Sequence, residues 1–79
     1  MIENHNDIVA RCLQLDRISD DKGLIVYFLD CNRHTFRLGV SSMYWSHLAE
    51  NERYCMVKYG NYFLNKEDAE SAVARAMSK

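Results

Sequence analysis

The sequence predicts an α+β domain: a small, mostly antiparallel sheet of about five strands, covered by a short central helix and a C-terminal helix. Three observations carry this. The apolar run Leu24 to Leu29 follows the turn-forming Asp20-Asp21-Lys22-Gly23 and has the length of a buried strand. Phe36, Leu38 and Val40 then alternate with polar or small residues, which is the period of a half-buried strand. From Asn65 onward, Ala69, Ala72, Val73, Ala76 and Met77 fall on one narrow helical stripe. The expected order is three strands, a helix, two strands and a helix, within one compact domain spanning residues 1–79.

Residues 6–18 admit two readings. Asn6 can cap a helix carrying Ile8, Cys12 and Leu15, whereas the turn at Asp20–Gly23 favours a strand through Leu13 and Leu15 that turns back into the next strand. The strand is the reading adopted. After Leu29, the connection Cys31-Asn32-Arg33 leads into His34–Val40. Pairing Asp30 with His34 across that turn sets Phe28 against Phe36, Val26 against Leu38 and Leu24 against Val40 on the core face. Phe28, Phe36, Leu38 and Val73 are therefore expected to be largely buried, and Phe36→Ala is expected to cost about 3–5 kcal/mol. The opposite face then sets Tyr27 beside Arg37.

Ser41 or Ser42 can cap a short helix over Met43–Glu50, with Tyr44, Trp45 and Leu48 at helical spacing. Gly60-Asn61 reads as a type II′ turn joining strands 54–59 and 62–64, which makes Tyr59 and Tyr62 cross-strand neighbours. The final helix starts at Asn65, with Glu67 and Asp68 at its positive end and Arg75 near its negative end.

Composition excludes several classes. Eleven acidic and ten basic residues leave a net charge of −1, with no basic run, so nucleic-acid binding through the net field is disfavoured. The longest apolar run is far shorter than the roughly 20 residues that span a bilayer, so no membrane role is expected. Three cysteines, at positions 12, 31 and 55, fit reduced thiols in the cytoplasm better than a disulfide framework.

Chemical motifs are sparse. Cys31-x-x-His34 has the spacing of half a zinc site, with Cys12, His47 and Cys55 as further ligand types, but no second pair completes it. Cys31 or Cys55 with His34 or His47 contains the residue types of a nucleophile and base without a diagnostic motif. Three glycines cannot build a phosphate-cradling loop. The chain is read as a non-enzyme without metal or cofactor.

The functional expectation is a small interaction module that binds a protein partner through exposed tyrosine and arginine groups: Tyr27, Arg37, Tyr59 and Tyr62. One subtype of such a module is an accessory or inhibitor protein, including a mobile-element inhibitor of host machinery. Two alternatives stand beside it. One is a nucleic-acid-binding sheet face, with Tyr27, Tyr59 or Tyr62 stacking on bases and Arg33, Arg37 and Lys58 on phosphates. The other is a homo-oligomer subunit that associates through the C-terminal helix or an open sheet edge.

Overall fold

The computed structural model describes residues 4–78. It is an α+β fold with the order α1 (His5–Lys22), β1 (Ile25–Cys31), β2 (Leu38–Tyr44), a 3-10 turn (Trp45–His47), α2 (Glu50–Tyr59) and α3 (Lys66–Met77). The expected five-strand sheet is thereby corrected to two strands and three helices, with a helix first.

Residues 6–18, read as a strand, are part of α1. The period of the apolar residues decides it: Ile8 and Leu15 are buried and Cys12 is half-buried, while Leu13, which a strand would turn inward together with Leu15, is 52% exposed. Asn4 caps the helix, its Oδ1 accepting the Asp7 N–H at 2.9 Å. Gly23, at φ 72°, ends it by donating its N–H to the Ser19 carbonyl at 2.9 Å.

β1 and β2 pair antiparallel, with Val26 opposite Met43, Phe28 opposite Ser41 and Leu29 opposite Val40. This register is offset by five residues from the expected one, an odd number, so each β2 residue faces the side of the sheet opposite to that predicted. Phe36 consequently lies outside the ladder, in the connecting loop, and is 83% exposed rather than core. Phe28, Leu38 and Val73 are half-buried. The ladder continues past Tyr44 through the Trp45 N–H, which donates to the Leu24 carbonyl at 2.8 Å.

The segment read as a helix over 43–50 is thus the end of β2 and the 3-10 turn, and the segment read as strand 54–59 belongs to α2. The α2 start lacks a side-chain oxygen on Ala49, and the Glu52 carboxylate instead reaches back to accept the Ala49 N–H at 3.1 Å. Gly60, at φ 70° and ψ 18°, is the left-handed cap of this helix and not a hairpin corner. Positive φ serves both purposes, so the residue type alone does not choose between them.

Ile8, Leu15, Val26, Trp45, Leu48 and Val57 form the central cluster, drawn from α1, β1, the 3-10 turn and α2. Helix α3 packs against both strands and buries Ala69. The other edge of β1 is closed by residues 61–63. Tyr27 and Phe63 exchange backbone hydrogen bonds at 2.9 and 2.8 Å, and the Asn61 side chain accepts from the Leu29 N–H at 2.9 Å and donates to the Leu29 carbonyl at 3.1 Å. A side-chain amide here occupies the place of a strand peptide.

Candidate functional site

The loop between the two strands projects an aromatic ring into solvent. Asn32 organises it: its N–H donates to the Arg37 carbonyl at 2.9 Å, its carbonyl accepts from the Phe36 N–H at 2.7 Å, and its Oδ1 accepts from His34 N–H at 2.8 Å and Thr35 N–H at 3.2 Å. One side chain thus satisfies two amides of the six-residue connection 32–37 that would otherwise be left to water. The turn closes with the Phe36 N–H on the Asn32 carbonyl, and Phe36 itself takes positive φ, at 55°.

That placement is costly. A non-glycine residue on the left-handed side carries about 1–3 kcal/mol of strain, and Phe36 gains little packing in return because most of its ring is in water. Arg33, His34 and Arg37 flank it and are themselves exposed. The ion pair among the described residues is Arg53 with Asp16, so neither Arg33 nor Arg37 forms a salt bridge with another described residue. The tip is therefore an aromatic knob with a cationic collar.

The four residues expected to bind a partner lie on different elements. Arg37 stands next to Phe36 at the tip. Tyr59 ends α2, 73% exposed, with Lys58 Nζ 5.4 Å from its ring centre. Tyr27 is half-buried in β1, and its cross-strand neighbour is Ser42 rather than the expected Arg37. Tyr62 packs against the central cluster, and its hydroxyl accepts from Arg11 Nη1 at 3.1 Å, so it is not the cross-strand neighbour of Tyr59. Phe36 is the residue the sequence reading missed, since its alternation with Leu38 and Val40 marked it as core; the turn chemistry of Asn32 was the signal against that.

A second feature lies between α1 and α2, where Val9, Cys12, Leu13, Asp16, Arg53 and Tyr54 line a cleft of about 180 Å³. Ligand pockets typically hold roughly 300–1,000 Å³. Asp16 organises its floor, its Oδ1 accepting from the Trp45 indole N–H at 2.6 Å and from Arg53 Nη1 at 3.2 Å. The Arg53 guanidinium also lies 5.9 Å from the Trp45 ring centre. Burial pushes the Cys12 thiol above its ordinary pKa; Asp16 adds to the shift and Arg53 opposes it. At neutral pH the thiol is protonated and is a poor nucleophile.

Among the described residues no group of three or more His, Cys, Asp or Glu is placed to hold a metal ion. Cys31 and His34 sit at the exposed hairpin end, whereas Cys12, His47 and Cys55 lie on α1, the 3-10 turn and α2. No described helix is long and apolar enough to cross a membrane. No family model matches the chain, and no curated protein or solved structure matches it either.

Proposed function

We propose that the protein is a small non-enzymatic interaction module of the cytoplasm that seats Phe36, with Arg33 and Arg37 beside it, in a recess of a protein partner. The observation that carries this reading is a bulky aromatic held at positive φ with its ring in water. Neither packing nor solvation favours that arrangement in the free chain, and backbone strain of this kind concentrates where a side chain must be presented. An aromatic beside arginine is also the composition of an interface hot spot. Tyr59 offers a further exposed ring on α2, while Tyr27 and Tyr62 support the scaffold from their half-buried positions. A knob that plugs a functional recess suits an inhibitor, which is the subtype we favour.

The test is affinity capture from cells that express the protein, with wild-type, Phe36→Gly and Arg37→Ala chains as baits and with each sample split for nuclease treatment. Proteins retained by the wild type after nuclease and lost from both variants support the reading. Recovery that collapses with nuclease and falls steeply with salt assigns the knob to single-stranded nucleic acid, with Phe36 stacking on bases and the arginines on phosphates.

A further inference from the structure

We propose that the chain forms a two-fold symmetric dimer in which the outer edge of β2 pairs antiparallel with the same edge of a second copy, making one continuous four-stranded sheet. The argument starts from the hydrogen bonds of β1. Tyr27 and Leu29 direct their backbone groups away from β2, toward Phe63 and Asn61. The Tyr27–Ser42 and Leu29–Val40 pairs are therefore the non-hydrogen-bonded pairs of the antiparallel ladder. Their β2 members, together with Leu38 and Tyr44 at the same alternation, direct their N–H and C=O groups to the outer edge. No strand or bridge covers that edge among the described residues.

Such edges are usually blunted by charge, proline or a bulge. Leu38-Gly39-Val40-Ser41-Ser42-Met43-Tyr44 contains no charged residue and no proline, and it pairs with β1 residue for residue without a bulge. Full overlap of two such strands places the axis at Ser41. Val40 then exchanges hydrogen bonds with Ser42 of the second copy, and Leu38 with its Tyr44. This register uses the outward-facing residues of both strands, as an antiparallel ladder requires.

The surroundings favour a second copy over a foreign strand. A two-fold axis perpendicular to the sheet keeps both α3 helices on one face. Because α3 packs over both strands and strands are spaced about 4.8 Å apart, the two helix axes come within roughly 10 Å, an ordinary packing distance. Lys66 and Glu70 line the groove between β2 and α3 together with Gly39, Val40 and Val73. These two opposite charges are self-complementary about a two-fold, Lys66 of one copy meeting Glu70 of the other. The chain exposes 6186 Å², against about 5,000 Å² for a compact monomer of its mass. The chain thus exposes more surface than a compact monomer of its mass, as a subunit that packs against a second copy does.

Sedimentation equilibrium on the full chain, from about 5 to 200 µM, is the first test, with a concentration-dependent dimer expected. Ser42→Pro removes an outward-facing donor and spares the ladder to β1, so it should raise the dimer dissociation constant at least tenfold with an unchanged circular dichroism spectrum. Glu70→Lys should also weaken the dimer, and adding Lys66→Glu should restore it. A covalent test does not depend on Ser42→Pro folding. In a Cys31→Ser, Cys55→Ser background, Ser41→Cys should cross-link on mild oxidation, because non-hydrogen-bonded partners have Cα atoms about 4.5 Å apart, within disulfide range. Ser46→Cys, on the 3-10 turn, is the control. A chain that stays monomeric at 200 µM, or a dimer whose Ser41→Cys variant cross-links no better than Ser46→Cys, overturns the proposal.

Discussion

Phe36→Ala and Phe36→Gly together separate a strained, presented aromatic from a packed one. With 83% of the residue exposed, less than a fifth of a side chain of roughly 200 Å² is covered, about 35 Å², worth on the order of 1 kcal/mol. Phe36→Ala should therefore cost no more than about 1 kcal/mol, well short of the roughly 3–5 kcal/mol of a buried phenylalanine. Alanine keeps the Cβ, so the strain at φ 55° persists in that variant. Glycine removes it, recovering about 1–3 kcal/mol less about 0.4–1 kcal/mol for the freer unfolded chain.

The glycine variant should thus be more stable than the alanine variant by about 0.5–2 kcal/mol, which reverses the usual order at a regular helix or strand position. Urea and thermal unfolding, followed by circular dichroism and by the fluorescence of the buried Trp45, measure the difference. A 1 kcal/mol gap should separate the melting temperatures by roughly 4–8 °C. A glycine variant less stable than the alanine variant would refute the strain argument. So would a loss of about 3 kcal/mol or more in Phe36→Ala.

Further expectations follow from other contacts. Asn61→Ala leaves the Leu29 N–H and C=O without their partners and should cost about 1–3 kcal/mol, read by urea unfolding, with faster exchange of the Leu29 amide. Asp16→Ala strips the acceptor from the Trp45 indole and the charge partner from Arg53; a loss of about 1–3 kcal/mol is expected, with Asp16→Asn intermediate because it still accepts from the indole. Gly60→Ala meets no atom within 4 Å but must adopt φ 70°, so about 1 kcal/mol should be lost through the backbone alone. Cys12, half-buried with a raised thiol pKa, should react with a thiol reagent at pH 7.5 much more slowly than Cys31 and Cys55, and equal rates for all three in the folded protein would contradict the description of the α1–α2 cleft.

Local signals were legible where one physical cause dominates. Leu24–Leu29 seeds β1 because a branched, apolar run after a turn has few alternatives, and Asn65 opens α3 because amphipathic spacing and acidic residues agree there. Where two causes compete, the sequence underdetermines the outcome. Cys12 and Leu15 suit a helix while Leu13 and Leu15 suit a strand, and only burial of Ile8 against Trp45 and Val57 settles the choice. Gly60 announces positive φ without saying whether a helix ends or a hairpin turns. The hairpin register is offset by five residues from the expected one, and Phe36 sits in the connection that Asn32 organises rather than in the core. Of the candidate site, Arg37 and Tyr59 were recognisable as exposed polar-tipped groups, but Phe36 was not, because its strain is a property of the closed loop and not of its neighbours in sequence.

The Asn61 amide that stands in for a strand peptide gives β1 two chemically different flanks. One is a conventional ladder to β2, separated by a few residues of loop; the other depends on a segment more than thirty residues later that begins where α2 stops. Amides of Val26, Phe28 and Asp30, which face β2, should be released to solvent when the hairpin opens. Those of Tyr27 and Leu29 are released when α2 and its following segment swing away, so alternate amides along a single strand should exchange with two distinct free energies of opening.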